Sequence, residues 1–218
     1  MKRIGVKICV CIFSIMFMSS VYAQGENISS KTAEQVALEA LKILSELTTP
    51  QNYREMGFKG LEDARTTSVG EYFVIYWVGL DQLKEYKKGD DPRKMLSGGD
   101  QRIYSVLSRG VVSSSITLSN IKGQWEATSF GESPTIKSIE NSVSINKRNV
   151  KDSEETYFFV KLLALNLEFI GYYQDDTLML APLYDYPDFG FTVNTPIPAV
   201  EVFEKVQPTA LEHDGLPW

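Results

Sequence analysis

Four aspartates near the C-terminal end are the residues whose type and spacing could support chemistry. Asp175 and Asp176 are adjacent, and Asp185 and Asp188 follow in the next predicted loop. Because a hairpin and the loop after it could share one end of a sheet, these side chains could converge. Converging carboxylates bind calcium or act as a paired acid and base. The alternative is ordinary turn chemistry, since the spacing fits no EF-hand loop and adjacent aspartates favour turns.

Aromatic residues surround these aspartates and suggest a recognition surface. Six of them fall within residues 172–191, and tyrosine offers both contact area and a hydrogen-bonding group. The alternative is that most of them cover the C-terminal sheet. The residues of this candidate recognition surface are Tyr172, Tyr173, Asp175, Asp176, Tyr184, Asp185, Tyr186, Asp188 and Phe189.

Other catalytic and metal-binding chemistry has little support in the residue types. His213, the only histidine, lies five residues before the last one and is expected at the surface, which favours neither a catalytic triad nor a zinc site. Both cysteines, Cys9 and Cys11, fall in a predicted signal peptide, so the mature chain would have no disulfide, thiol nucleophile or Cys–metal site. We therefore predict no catalytic residue, metal or cofactor.

The N-terminal residues 1–23 have the pattern of a secretory signal peptide. Lys2 and Arg3 begin it, residues 8–18 are apolar, and Ala23 ends it with a small residue at the cleavage point. The apolar run is about half of the roughly 20 residues that span a bilayer. We expect a bacterial protein that is exported to the periplasm or the medium, with no membrane attachment after cleavage.

The charge of the mature chain argues against two classes of partner. Removing the signal would leave 19 of the 22 Lys and Arg residues against 28 Asp and Glu, a net charge near −9. An acidic chain without a basic cluster is a poor ligand for nucleic acid or an anionic membrane. The remaining partner class is another exported protein.

Hydrophobic periodicity predicts a helix followed by an antiparallel sheet in the first part of the mature chain. Residues 32–47 have helical spacing, begin with the capping box of Thr32 and Gln35, and end before Pro50. Between 112 and 118 apolar residues alternate with Ser and Thr, which predicts one buried face and one wetted face. The predicted strands are 71–80, 103–107, 112–118 and 124–130.

The second part repeats these element types without a detectable sequence repeat. Ser133 and Pro134 begin a predicted helix that fades at Asn146, and three strands follow within 156–183. A last helix begins near Pro198 and is predicted to end or kink at Pro208. We predict an α+β fold, namely a curved antiparallel sheet with the N-terminal helix packed on it and a C-terminal strand and helix extension. The predicted parts are 24–131 and 132–218, which could form one domain.

The predicted strands 103–107, 112–118 and 124–130 follow one another as an antiparallel meander. This meander resembles the small secreted α+β domains of the cystatin-like and PepSY-like type. The residues that carry the resemblance are 106–112 across Gly110 and then 116–125, which include the Lys-Gly-Gln-Trp turn. Residues 165–171, 181–183 and 198–200 also resemble uncharacterised secreted bacterial proteins of this layout. The resemblance implies a propeptide-like, inhibitory or adaptor module. It does not extend to the Gln-x-Val-x-Gly loop with which cystatins inhibit proteases, since this chain has none.

Three functions follow as alternatives. The first is an exported, non-enzymatic binding or accessory protein. The second is a carboxylate-based or calcium-dependent hydrolase that uses the four aspartates. The third is a carrier of a small apolar ligand, which would need a closed apolar cavity of a few hundred Å³.

Overall fold

The N-terminal helix begins at the predicted capping box. In the computed structural model, which describes residues 31–149 and 156–215, helix α1 spans Ala33–Leu47. The Thr32 side chain accepts a hydrogen bond from the backbone N–H of Gln35, and the Gln35 side chain accepts one from the backbone N–H of Thr32. This reciprocal pair confirms the predicted start. The predicted signal peptide lies outside the described residues.

Four antiparallel strands follow α1 and confirm the predicted meander. Helix α2 (Leu61–Arg65) precedes the first strand and helix α3 (Leu80–Glu85) follows it. Strands β1 and β2 both begin earlier than predicted. The strands are β1 (Thr67–Val78), β2 (Ser97–Ser108), β3 (Val111–Ile121) and β4 (Gln124–Phe130).

The second part adds four strands to the same sheet. Helix α4 (Ser133–Asn149) leaves the edge strand β4, and the next strand pairs with β1 at the centre. The later elements are β5 (Phe158–Leu162), β6 (Leu167–Gln174), β7 (Thr177–Pro182), β8 (Ile197–Pro198) and helix α5 (Ala199–Glu212). The order is β4-β3-β2-β1-β5-β6-β7-β8 in one open sheet, which runs through both predicted parts.

The predicted α+β fold class is confirmed, with one difference in the sheet. Strand β5 is parallel to β1, whereas every other neighbouring pair is antiparallel. The sheet is therefore mixed and not purely antiparallel. The cause is the connection through α4, because a crossover helix can bring the chain back to the sheet centre in the direction of β1.

Helices cover both faces of the sheet, and the alternation along β1 assigns each helix to a face. Phe73 and Ile75 pack in one cluster with the buried side of α4. Val74 and Tyr76 point the opposite way and contact the cluster that contains α3 and α5. Tyr104, the cross-strand partner of Tyr72, packs on that same face with α1. We call the face under α4 the α4 face.

The polar side of β3 is not wetted, which corrects the sequence-based expectation. Ser115 and Thr117 are 1% and 7% exposed and lie on the α4 face. Small side chains there let α4 approach the sheet closely. The alternation along β3 predicted one wetted face because it contained no information about α4, which starts after the edge strand β4 and crosses β3.

Two helices run further than their sequences indicated. Helix α4 continues past Asn146, whose buried amide donates to the Ser142 carbonyl at 2.8 Å. Helix α5 continues through Pro208 to Glu212. Val206 and Ala210, on either side of the proline, are fully buried, so core packing keeps both turns helical.

Candidate functional site

The structure separates the nine residues of the candidate recognition surface. Tyr172 is 2% exposed and packs against Tyr157, with ring centroids 5.2 Å apart, so it belongs to the core. Its neighbour Tyr173 points to the opposite face and is 42% exposed. Tyr184 is 38% exposed and lies in the loop after β7, beyond the far end of that strand from Tyr173.

The four aspartates do not form one site. Asp175 and Asp176 make the turn between β6 and β7, with φ values of 46° and 63°. Asp185 and Asp188 follow β7, whose six residues span about 20 Å at 3.3 Å per residue. A hairpin turn and the loop after its second strand lie at opposite ends of that strand, so these carboxylates form neither a calcium site nor an acid–base pair together.

Residues 184–191 form a closed loop in which several polar groups are hydrogen-bonded within the protein. The backbone N–H of Tyr186 donates to the Phe191 carbonyl at 2.9 Å, and the Asp185 carboxylate accepts the Val193 N–H at 2.9 Å. The rings of Phe189 and Phe191 stack at 5.8 Å. The half-buried Tyr186 hydroxyl accepts the backbone N–H of Glu168 at 2.8 Å. Burial raises the pKa of Tyr186 to about 12.

The surface position predicted for His213 is wrong. The residue caps the C-terminus of α5 and is only 6% exposed. Its backbone carbonyl accepts a hydrogen bond from Lys84 Nζ at 2.9 Å, and its Nδ1 accepts one from the Gly215 N–H at 2.9 Å. His213 thus ties the end of α5 to α3, a contact between elements far apart in sequence.

A groove on the α4 face combines a partly exposed aromatic ring with several polar side chains. The groove lies next to the first turn of α4, and Glu132, the residue before that helix, forms part of its wall. Its volume is about 440 Å³. Small-molecule sites have volumes of roughly 300–1,000 Å³. We call this feature the Trp77 groove. Its lining residues are Ile75, Trp77, Gln101, Thr117, Thr128, Ser129, Glu132, Lys161 and Leu163.

The Trp77 ring is supported by a glycine on the neighbouring strand. A Cβ atom added to Gly98 would lie 2.7 Å from Cζ3 of Trp77, which is closer than two non-bonded carbon atoms approach each other in proteins. Gly98 has a φ of +98°, in a part of β2 where the pairing with β1 shifts register. The absence of a side chain on Gly98 therefore lets the indole lie against the backbone, while part of the ring remains exposed to the groove.

A chain of hydrogen bonds orients the polar wall across three strands. Gln101 Nε2 donates to Ser119 Oγ at 3.1 Å, and Ser119 Oγ lies 3.1 Å from Thr128 Oγ1. Thr128 lies where the β3–β4 register shifts, and its hydroxyl donates to the Thr117 carbonyl at 3.3 Å. Such a bulge reorients a side chain. Thr117 Oγ1 itself is buried and has no hydrogen-bond partner among the described residues.

The charged side chains at the groove all have partners within the protein. Lys161 Nζ lies 3.6 Å from Glu168 Oε1, just behind the lining, and 5.0 Å from the centroid of the Phe159 ring. Glu132 accepts a hydrogen bond from Ser129 Oγ at 2.8 Å. Burial raises the pKa of the Glu168 carboxyl, and the ammonium of Lys161 opposes that rise. The lining itself carries one positive and one negative side chain.

A larger cleft, about 660 Å³, lies at the other end of the N-terminal half between the α1–α2 connection and the β2–β3 turn. Its polar groups, like most of those in the Trp77 groove, have partners in the protein. Arg109 contacts Asp63 at 3.1 Å, and the Ser108 hydroxyl donates to the Asp63 carbonyl at 3.1 Å. The Ser113 hydroxyl donates to the Val111 carbonyl at 3.1 Å. We regard the smaller Trp77 groove as the better candidate because its partly exposed indole lines the groove together with converging hydroxyl and amide groups.

Sequence reasoning missed the Trp77 groove for an identifiable reason. Trp77 belongs to the continuous apolar run 71–80, which indicates a strand covered on both faces, and Gly98 belongs to a run that indicates a loop. The available signal was the combination of a tryptophan with Lys161, a charged residue within an apolar strand, and Gln101, which directly precedes the predicted strand 103–107. Only strand pairing brings these three together.

Within residues 31–149 and 156–215, no helix is both long and apolar enough to cross a membrane. The same residues contain no group of three or more His, Cys, Asp or Glu side chains placed to hold a metal ion. Comparison of the chain with protein-family models, with curated proteins and with solved structures finds no match.

Proposed function

We propose that this chain is an exported, non-enzymatic binding protein and that its ligand occupies the Trp77 groove. One observation carries the proposal: a partly exposed indole, supported by the Gly98 backbone, lines a groove together with hydroxyl and amide groups that orient one another. Exposed aromatic surface beside a few convergent polar groups is typical of binding sites. Export remains a prediction from residues 1–23.

The alternatives have less support. A hydrolase that uses the four aspartates would need them at one site, and they lie at two ends of β7. A carrier of an apolar ligand would need a closed apolar cavity, whereas the Trp77 groove and the 660 Å³ cleft both open to the surface. An exported protein as partner remains open, because the exposed Tyr173 and Tyr184 could contribute to a separate interface.

The decisive experiment maps ligand contacts by NMR. The purified protein is titrated with neutral oligosaccharides, amino acids, short peptides and small carboxylates, and amide and indole N–H shifts are followed. We expect shifts that cluster at Trp77, Gln101 and Thr128. Trp77→Ala should abolish them.

Trp125→Ala is the matched control, because Trp125 lies on the opposite face of the sheet, in the cluster with α1. Its ring centroid lies 4.7 Å from Cζ of Arg102. That variant should bind normally. Shifts that cluster at Tyr173 or Tyr184, or no shifts with any member of the panel, would contradict the proposal.

A further inference from the structure

We infer that the ligand of the Trp77 groove is a neutral saccharide, with one pyranose ring packed on the indole of Trp77. This inference rests on the proposed function and names the ligand class of the same site. Three properties of the groove support it, namely the pairing of its charged side chains, the support of its aromatic ring and the chemistry of its polar wall.

The pairing of the charged side chains within the protein favours an uncharged ligand. Lys161 is paired with Glu168 at 3.6 Å, so an anionic ligand would have to compete with a carboxylate that is already in place. Glu132 accepts a hydrogen bond from Ser129, and a cation would find only this one carboxylate in the lining. An ionic ligand would have to lose its hydration for little compensating charge, which is unfavourable.

The aromatic ring suits a saccharide because of the way it is held. One side of the indole lies against Gly98, which has no side chain, and part of the ring stays open to the groove. The C–H groups on one side of a pyranose carry small positive charges, and the face of an aromatic ring is negative. The two surfaces are flat, complementary and partly apolar.

The polar wall matches a ligand dense in hydroxyl groups. Each hydroxyl of a sugar both donates and accepts. The hydroxyls of Thr128 and Ser129 donate within the protein and offer acceptor oxygens, while the Gln101 amide offers an acceptor oxygen and a second N–H donor. Thr128 and Ser129 belong to the edge strand β4, so the groove is open at the side and would admit one residue of a longer chain. A chain extending beyond the groove would not need to be cleaved to bind.

The experiment measures binding of cellotetraose, chitotetraose and maltotetraose by calorimetry and by the indole N–H shift of Trp77. Glutamate and the zwitterionic peptide Gly-Gly-Gly are the comparison probes. We expect at least one saccharide to bind and Trp77→Ala to weaken it about tenfold or more. Trp77→Phe should retain part of the affinity and Trp125→Ala all of it. Raising NaCl from 0.05 to 0.5 M should change the affinity less than twofold, because the ligand is uncharged.

The possible failures are distinguishable. If glutamate or the peptide shifts the Trp77 signal and no saccharide does, the saccharide inference is wrong and the binding function stands. If no probe shifts it, both are contradicted. Release of shortened saccharides that Glu132→Gln or Glu168→Gln abolishes would keep the ligand class and overturn the non-enzymatic function.

Discussion

Gly98→Ala should destabilise the protein through a clash with Trp77. The new methyl group would lie 2.7 Å from Cζ3 and 2.9 Å from Cε3 of the indole, so the ring or the backbone must move. Overpacking of this kind costs about 1–3 kcal/mol. The φ of +98° adds about 1–2 kcal/mol for any residue with a Cβ. We expect the free energy of unfolding to fall by about 2–5 kcal/mol, which leaves a typical domain folded.

Gly89→Ala separates the two contributions. Gly89 has a φ of +97°, and a Cβ added there meets no atom within 4 Å. This variant therefore has the backbone strain without the clash, and its cost should be about 1–2 kcal/mol. Urea denaturation of both variants, with the slope of the transition checked for constancy, measures the difference.

A double-mutant cycle tests whether the part of the Gly98→Ala cost that exceeds backbone strain comes from the Trp77 indole. In a Trp77→Ala background the clash disappears, so Gly98→Ala should cost no more there than Gly89→Ala does in the wild type. The coupling energy should be about 1–3 kcal/mol. Equal costs of Gly98→Ala with and without Trp77 would refute the support of the ring by Gly98, and with it the rigid aromatic surface of the Trp77 groove.

Three further predictions concern single polar groups. Tyr186→Phe leaves the Glu168 N–H without its acceptor and should lower the free energy of unfolding, measured in denaturant, by about 1–3 kcal/mol. In the wild type the Tyr186 phenol should titrate near pH 12 by absorbance. The stability that comes from this raised pKa is complete below pH 10 and should be lost as pH rises from 10 to 12. Thr117→Val removes a buried hydroxyl without a partner and should be neutral or stabilising, whereas Thr128→Val removes a bonded one and should cost about 0.5–1.5 kcal/mol, so a larger loss for Thr117→Val would contradict the assignment. Burial raises the pKa of the Glu140 carboxyl, so ionisation of Glu140 destabilises the folded protein as pH rises. Glu140→Gln should therefore gain stability relative to the wild type as pH rises from about 4 to 7. The same pH dependence of stability in both proteins would contradict this prediction.

Local elements were predictable from the sequence where local interactions determine them. The capping box of Thr32 and Gln35, the turn at Asp175 and Asp176, and the starts of α4 and α5 all depend on residues within one or two turns of one another. The end of α5 was not predictable, because burial on both sides of Pro208 overcomes the local preference of proline.

The candidate site shows the same division. A cluster of aspartates and tyrosines that is dense in sequence suggested a surface at residues 172–191, but strand alternation buries Tyr172 and strand direction separates Asp176 from Asp185. Sequence proximity along a hairpin does not correspond to proximity in space, since consecutive residues face opposite sides and the two ends of a strand lie far apart.

The sequence by itself determined the α+β class, the N-terminal helix, the meander and the acidic charge. Each of these depends on residue type and short-range periodicity. Only the tertiary structure decided that β5 lies parallel to β1, that α4 covers the small polar face of β3, and that Trp77, Gln101 and Lys161 line one groove. These are contacts between residues separated by some 20 to 80 positions, and the pairing of strands at that distance depends on how the whole chain packs.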